Sequence, residues 1–196
     1  MNSQPRFGVS HFASTNSCTE STVQMDTPNI PLESAEGQAL LASCEAADRA
    51  AYDALWPHFT RQRGLTMCGL SSLSMVLRSL PHTAALADWS EEEVLARQRC
   101  SADVLLRCGA TLRQLEAVAR SVGLRAERSH VPPDAGTSSD AGSAGAVEAA
   151  LAAAVRRAPR GVRVLCNYNM SLAGQPPYGG HFSPIGAFHA VRELQP

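Results

Sequence analysis

Residues 61–80 read RQRGLTMCGLSSLSMVLRSL, and the reading of the whole chain turns on them. Leu70, Leu73, Val76, Leu77 and Leu80 recur at helical spacing, so the segment after Gly69 predicts an amphipathic helix with one core-facing stripe. Cys68 then falls in that helix's first turn, where unpaired backbone N–H groups and the positive end of the macrodipole favour negative charge on sulfur. Gly69, lacking a side chain, leaves room for a substrate carbonyl to approach the sulfur and the neighbouring N–H groups. The same placement suits a small buried hydrophobe, because free cysteine is among the most buried residue types. A nucleophilic role requires a histidine from elsewhere in the chain.

A chain of 196 residues fits one domain with a sizeable core. Hydrophobic residues at 44% and charged residues at 18% describe an ordinary soluble globular protein. A formal net charge of −1 gives no reason to expect a nucleic-acid partner or an anionic membrane surface. All 17 basic residues are arginine, which excludes Schiff-base chemistry on lysine. The cysteines, Cys18, Cys44, Cys68, Cys100, Cys108 and Cys166, form no CxxC or CxxH pair, so a zinc site of the usual short spacing is not signalled. No secretory signal and no apolar run of membrane length is visible. Free thiols in a reducing cytoplasm are the expectation. The sequence carries no signal of oligomeric state.

Residues 1–29 mix Ser, Thr, Asn and Pro and predict a disordered lead-in, with the ordered domain running over 30–196. The stretch ESAEGQALLASCEAADRAAYDALWPHF predicts one or two helices packed through Leu40, Leu41, Ala47, Ala51, Leu55 and Trp56. Ser90 with Glu93, and Thr111 with Gln114, each have the spacing of a capping box, and Gly123 suits the stop of the second helix. LRAERSH predicts a strand, and the Pro/Gly/Ser-rich run 131–146 a mobile loop. An Ala-rich helix over about 147–158 then leads into GVRVLCNYN, where Val162, Val164, Cys166 and Tyr168 alternate as on a half-buried strand. GGHFSPIGAFHAVREL reads as two short strands around a Ser-Pro-Ile-Gly turn. A helical first half followed by a sheet-forming second half argues for α+β.

Among the six histidines His181 has the most telling context, directly after Gly179 and Gly180 and at the start of a strand. An imidazole there can reach across a cleft while the glycines leave space for substrate. Cys at a helix N-terminus facing His on a sheet is the arrangement of a thiolate–imidazolium pair, the His later protonating the leaving amine. Gln62, six residues before Cys68, offers a side-chain amide to a developing oxyanion alongside the Cys68 backbone N–H. Read without context it is an exposed polar loop residue.

The stretch QRGLTMCGLSSLSMVLRSL (62–80) together with GGHFSPIGAFHA (179–190) resembles the N-terminal catalytic domain of phytochelatin synthases, in the papain-like cysteine protease superfamily. IPLESAEGQALL, CGATLRQLEAVARSVGLRAE and VRVLCNYN extend the resemblance over about residues 30–193. It implies a papain-like α+β fold, with an antiparallel sheet in the second half. It also implies Cys68 as nucleophile, His181 as general acid/base and Gln62 as oxyanion donor, with Gly69, Gly180 and Phe182 lining the substrate cleft. The implied activity is acyl transfer on glutathione. The Cys–Gly bond is cleaved through a Cys thioester, and γ-glutamylcysteine passes to a second glutathione, building phytochelatins for heavy-metal detoxification. No fixed cofactor or metal site is implied. Cadmium- or zinc-type ions act mainly as part of a metal–glutathione thiolate substrate. The implied partners are therefore glutathione and metal-bound glutathione.

The family's orienting Asp, on the strand after the His, would fall beyond Pro196, which makes a C-terminally incomplete domain of low activity the expectation. Two alternatives stand beside the transferase. One is a hydrolase that releases glycine from glutathione and stops there. The other is an inactive thiol protein that binds soft metals or glutathione without turnover.

Overall fold

The computed structural model describes residues 6–12, 30–98, 102–131, 141–170 and 179–189. From Ile30 the chain is helical. Ser34 caps α1 (Ala35–Ser43) by accepting from Gly37 N at 3.0 Å. Helix α2 (Ala46–Leu55) ends in a 3-10 turn at Trp56–His58. Ala51 and Leu55 are buried, whereas Leu40, Ala47 and Trp56, expected to pack beside them, face solvent. Helices α3 (Cys68–Arg78), α4 (Pro81–Ala84), α5 (Glu91–Ala96), α6 (Ala102–Cys108) and α7 (Leu112–Ser121) follow. Thr111 and Gln114 form the full reciprocal box, whereas at α5 only half of the expected box forms: Ser90 accepts from Glu93 N, but the Glu93 carboxylate accepts from Trp89 N instead of Ser90 N. Helix α7 stops where Gly123 adopts φ +85°, with Leu124 N bonded to Ala119 O and Gly123 N to Arg120 O, the pattern of a Schellman motif.

Helix α3 is the axis of the core. Leu70, Leu73, Val76, Leu77 and the following Leu80 are buried as the spacing predicts, but so is every residue from Gly69 to Leu77. The helix is enclosed by α2, α5 and α7 on one side and by the sheet on the other. Two of its serines bond neighbouring elements where an ordinary amphipathic helix would meet water. Ser72 Oγ donates to Phe182 O at 3.1 Å, and Ser74 Oγ to Trp89 O at 2.5 Å. A hydroxyl buried on a helix is tolerated when it bonds a neighbouring element in this way.

The sheet has the order β2-β1-β3-β4, where β1 is Arg6–Phe12, β2 Arg125–Val131, β3 Arg163–Asn169 and β4 Gly180–Ile185. The strand expected at LRAERSH is β2. Strands β3 and β4 form the expected antiparallel pair, which sets Tyr168 opposite His181 and Asn167 opposite Phe182. Strand β1 pairs parallel with both β2 and β3. It lies within the stretch expected as a disordered lead-in. Its backbone fills the place between two strands that would otherwise each leave a row of N–H and C=O groups unpaired. The rest of residues 1–29 lies outside the described residues.

Three further expectations change. Helix α8 spans Ala141–Val155, so the alanine run carries helix back into the second half of the expected 131–146 loop. Residues 132–140 lie outside the described residues. The Ser-Pro-Ile-Gly segment does not turn, because Ser183, Pro184 and Ile185 continue β4. Among the described strands it lies at an edge, where the N–H missing from proline is tolerated. Strand β3 is buried on both faces over Arg163–Cys166, with helices α3 and α8 packed against it.

Buried Arg163 fastens the C-terminal end of α3 to the sheet. Its guanidinium donates to Ser79 Oγ, Ser79 O, Ala158 O and Val162 O, each at 2.9 Å. Burial lowers the guanidinium's pKa from its ordinary value, and these four acceptors offset the cost of keeping it charged. Glu116 takes Arg120 at 2.7 Å and Arg128 at 2.8 Å, which joins α7 to β2.

Candidate active site

Cys68 is the first residue of α3, as the sequence predicts. The N-cap is Met67, in helical backbone conformation, and no side chain caps the helix. A helix of this length therefore presents its first-turn N–H groups and its dipole at the sulfur without a competing side-chain acceptor. Cys68 is half-buried against the core.

The approach to Cys68 is pinned from two sides. Met67 N donates to Gly64 O at 3.1 Å, and Gln62 Nε2 donates to the same carbonyl at 3.0 Å. One N–H of the Gln62 amide is thus spent on its own loop, while a carboxamide nitrogen carries two. Thr66 Oγ1 donates to Leu106 O at 2.6 Å and holds the loop on α6.

Strand β4 meets α3 one residue beyond each candidate. A Cβ added at Gly69 would lie 3.2 Å from Phe182 Cδ2, 3.1 Å from Leu115 Cδ1 and 3.3 Å from Ala110 Cβ. Gly69 is therefore small because the Phe182 ring packs on it. Phe182 is itself buried in the core, so the geometry gives these two residues a docking role where a cleft-lining role was expected. Ser72, one turn along α3 from Cys68, fixes the Phe182 carbonyl. Cys68 and His181 are each one residue, about 3.8 Å between Cα atoms, removed from the touching pair Gly69 and Phe182.

His181 follows Gly180 at the exposed end of β4. Side chains alternate along a strand, so its ring points away from Phe182. It meets Tyr168 edge-on, with ring centroids 5.6 Å apart. No hydrogen bond joins Cys68 to His181, and among the described residues no carboxylate pairs with the imidazole. Burial lowers the His181 pKa and so favours the neutral ring that a general base needs. Exposed Gly180 abuts Asn167, whose Oδ1 lies 3.1 Å from where a Cβ would be.

Two residues near the site were not singled out from the sequence. Asn167 shares with Phe182 the sheet face toward α3, and its phase with buried Leu165 was the available signal. Ser71, one turn beyond Cys68, is buried with a hydroxyl that has no hydrogen-bond partner. Among the other thiols, Cys166 is buried in β3 and its pKa is pushed up to about 12 by burial, whereas Cys108 is exposed. Among the described residues no three His, Cys, Asp or Glu side chains converge as a metal site, and no helix is long and apolar enough to cross a membrane.

No curated protein matches the chain closely enough to count as a relative. A family profile described as phytochelatin synthase matches residues 20–194, a span that takes in the Cys68 helix, the β3–β4 pair and His181. The chain belongs to the phytochelatin synthase family.

Proposed function

We propose that this chain is a γ-glutamylcysteine transferase that works on glutathione through Cys68. The observation that carries the reading is an uncapped α3 whose first residue is a cysteine, docked through Gly69 and Ser72 on the strand that bears His181, in a chain of this family. His181 takes the Cys68 thiol proton as Sγ attacks the carbonyl of the Cys–Gly bond. The first-turn N–H groups of α3, with the second N–H of Gln62, hold the developing oxyanion. The C–N bond breaks, glycine leaves with a proton delivered by His181, and γ-glutamylcysteine remains as a thioester on Cys68. The amine of a second glutathione attacks that thioester, His181 takes its proton, and Cys68 leaves as the extended peptide forms. Water in place of the amine yields γ-glutamylcysteine instead. No hydrogen bond joins Cys68 to His181 in the free chain, so the reading requires the two side chains to meet when substrate is bound.

Soft metal ions enter this scheme as substrate, bridging glutathione thiolates. The test is mass spectrometry of products formed from glutathione with and without cadmium, beside a Cys68→Ser control. Glycine release that requires Cys68, with a γ-glutamylcysteine-extended product, is the expected result. Glycine release without extension makes the chain a hydrolase. Glycine release unchanged in Cys68→Ser overturns the assignment of the nucleophile.

A further inference from the structure

Arg78, the last residue of α3, lies about 15 Å along the helix axis from Cys68 at the 1.5 Å rise of an α-helix. It lines an open cleft of about 450 Å³ together with His58, Asp88 and the segment from Ala84 to Ala87. The size is that of a small-molecule site. Arg78 Nε donates to Asp88 O at 2.8 Å, which sets the guanidinium beside the Asp88 backbone. The guanidinium forms no ion pair with the Asp88 carboxylate. Among the described residues the Arg78 terminal nitrogens, the Asp88 carboxylate and the His58 imidazole have no partner within the chain. One residue of each charge, neither ion-paired among the described residues, thus lines the same cleft beside Ala84, Ala85, Leu86 and Ala87.

The cleft wall is built rigidly. Trp89, next to Asp88, is buried and has φ +53°, a left-handed backbone that is uncommon for a bulky residue. Its indole N–H donates to Thr83 O at 2.5 Å, its backbone N–H to Glu93 Oε2 at 2.5 Å, and its carbonyl accepts from Ser74 Oγ. The Arg97 guanidinium sits 4.5 Å over its ring. At the other end Thr83 Oγ1 donates to Leu77 O and Leu80 O, and Leu86 N to Thr83 O. A segment bolted at Thr83 and Trp89 holds Asp88 and Leu86 in place before any ligand arrives, which reduces the ordering cost of binding.

We propose that this cleft binds the zwitterionic head of an α-amino acid, Arg78 taking the carboxylate and Asp88 the ammonium. Opposite charges on two residues tied together by the Arg78 Nε to Asp88 O bond match that head better than they match a simple anion or cation, either of which would be repelled by one of the two. The γ-glutamyl end of glutathione and free glycine both carry it. The choice of these two sources rests on the transferase reading, whereas the recognition of the head does not.

The probe is the His58 imidazole Cε1–H resonance of the Cys68→Ser protein at fixed pH, titrated separately with S-methylglutathione, N-acetyl-S-methylglutathione and glycine. The expected result is a saturable His58 shift with S-methylglutathione that the N-acetylated ligand, lacking the ammonium, fails to produce. The apparent Kd rises about tenfold in Asp88→Asn and in Arg78→Gln, the loss of one charge-assisted hydrogen bond. A matching shift with glycine assigns the head alone as sufficient, and a shift with the peptide only assigns a γ-glutamyl site. Asp88 is exposed, so Asp88→Asn tests the site without disturbing the core. No shift with either zwitterion, or an equal shift with the N-acetylated peptide, overturns the proposal. Because Cys68 is absent and no turnover is read, the outcome is separate from that of the glycine-release experiment.

Discussion

Ser72 Oγ donates to the Phe182 carbonyl across 3.1 Å in the interior, and this bond joins the helix that begins at Cys68 to the strand that carries His181. Its neighbour Ser71 is equally buried but has no partner. Two adjacent serines on one helix thus have opposite accounts. Ser72→Ala leaves a buried carbonyl without a donor and is expected to cost about 1–2 kcal/mol. Ser71→Ala removes an unsatisfied hydroxyl and is expected to be neutral or stabilising by about 1 kcal/mol. Denaturant unfolding of both variants checks the pair, and an equal loss in the two would show that the Ser72 bond is not what holds the elements together.

Under the proposed chemistry His181 sets the pH response. Burial lowers its pKa, so the neutral ring persists below the ordinary histidine value of about 6.5. The acid limb of kcat/KM for glycine release is therefore expected at a midpoint below 6.5. The unfolded chain binds this proton more readily than the folded one, so stability from His181 is full above the unfolded value and is lost as pH falls through the folded one. His181→Gln should accordingly lose less stability than the parent between pH 8 and pH 5. A midpoint above 6.5 would instead mean that a negative group, such as a Cys68 thiolate, holds the imidazolium.

Thiol reactivity should follow burial. Cys166 is buried and burial pushes its pKa up to about 12, so its thiolate is scarce at pH 8. Cys108 is exposed at the end of α6. Timed alkylation at pH 8, read by peptide mass spectrometry, is expected to label Cys108 rapidly and to spare Cys166 until denaturant is added. Early labelling of Cys166 in the folded protein would contradict its burial between the β-sheet neighbours.

What the sequence revealed was local. The leucine spacing after Gly69, the Thr111–Gln114 box and the Gly123 stop each depend on residues within one or two turns, and each stands in the fold. Strand β1 was hidden because RFGVSHF has little intrinsic pattern, and its place is set by pairing with strands more than 100 residues away. Pro184 reads as a turn because it lies in a Ser-Pro-Ile-Gly run, yet a strand at the edge of the described sheet accommodates it. The resemblance implies Gly69 and Phe182 as cleft residues, whereas their contact with one another depends on packing between segments more than 100 residues apart. The cleft at Arg78 and Asp88 was invisible because it depends on the left-handed Trp89 folding that loop back on α3.

The Gly69 contact separates docking from substrate binding. Three side-chain carbons, from Leu115, Phe182 and Ala110, lie within 3.1–3.3 Å of where a Cβ would be, so a methyl group must push at least one of them aside. Gly69→Ala is expected to cost about 1–2 kcal/mol of stability through overpacking, and to lower kcat because the displaced ring belongs to the residue after His181. Phe182→Leu opens space on the same side. The double variant should therefore be more stable than the sum of the single effects predicts, by about 0.5–1 kcal/mol in a double-mutant cycle. If Gly69 instead lined the cleft for substrate, Gly69→Ala would raise KM at unchanged stability and the two substitutions would be additive. Unfolding free energies and steady-state glycine release on the four proteins of the cycle decide between the two roles.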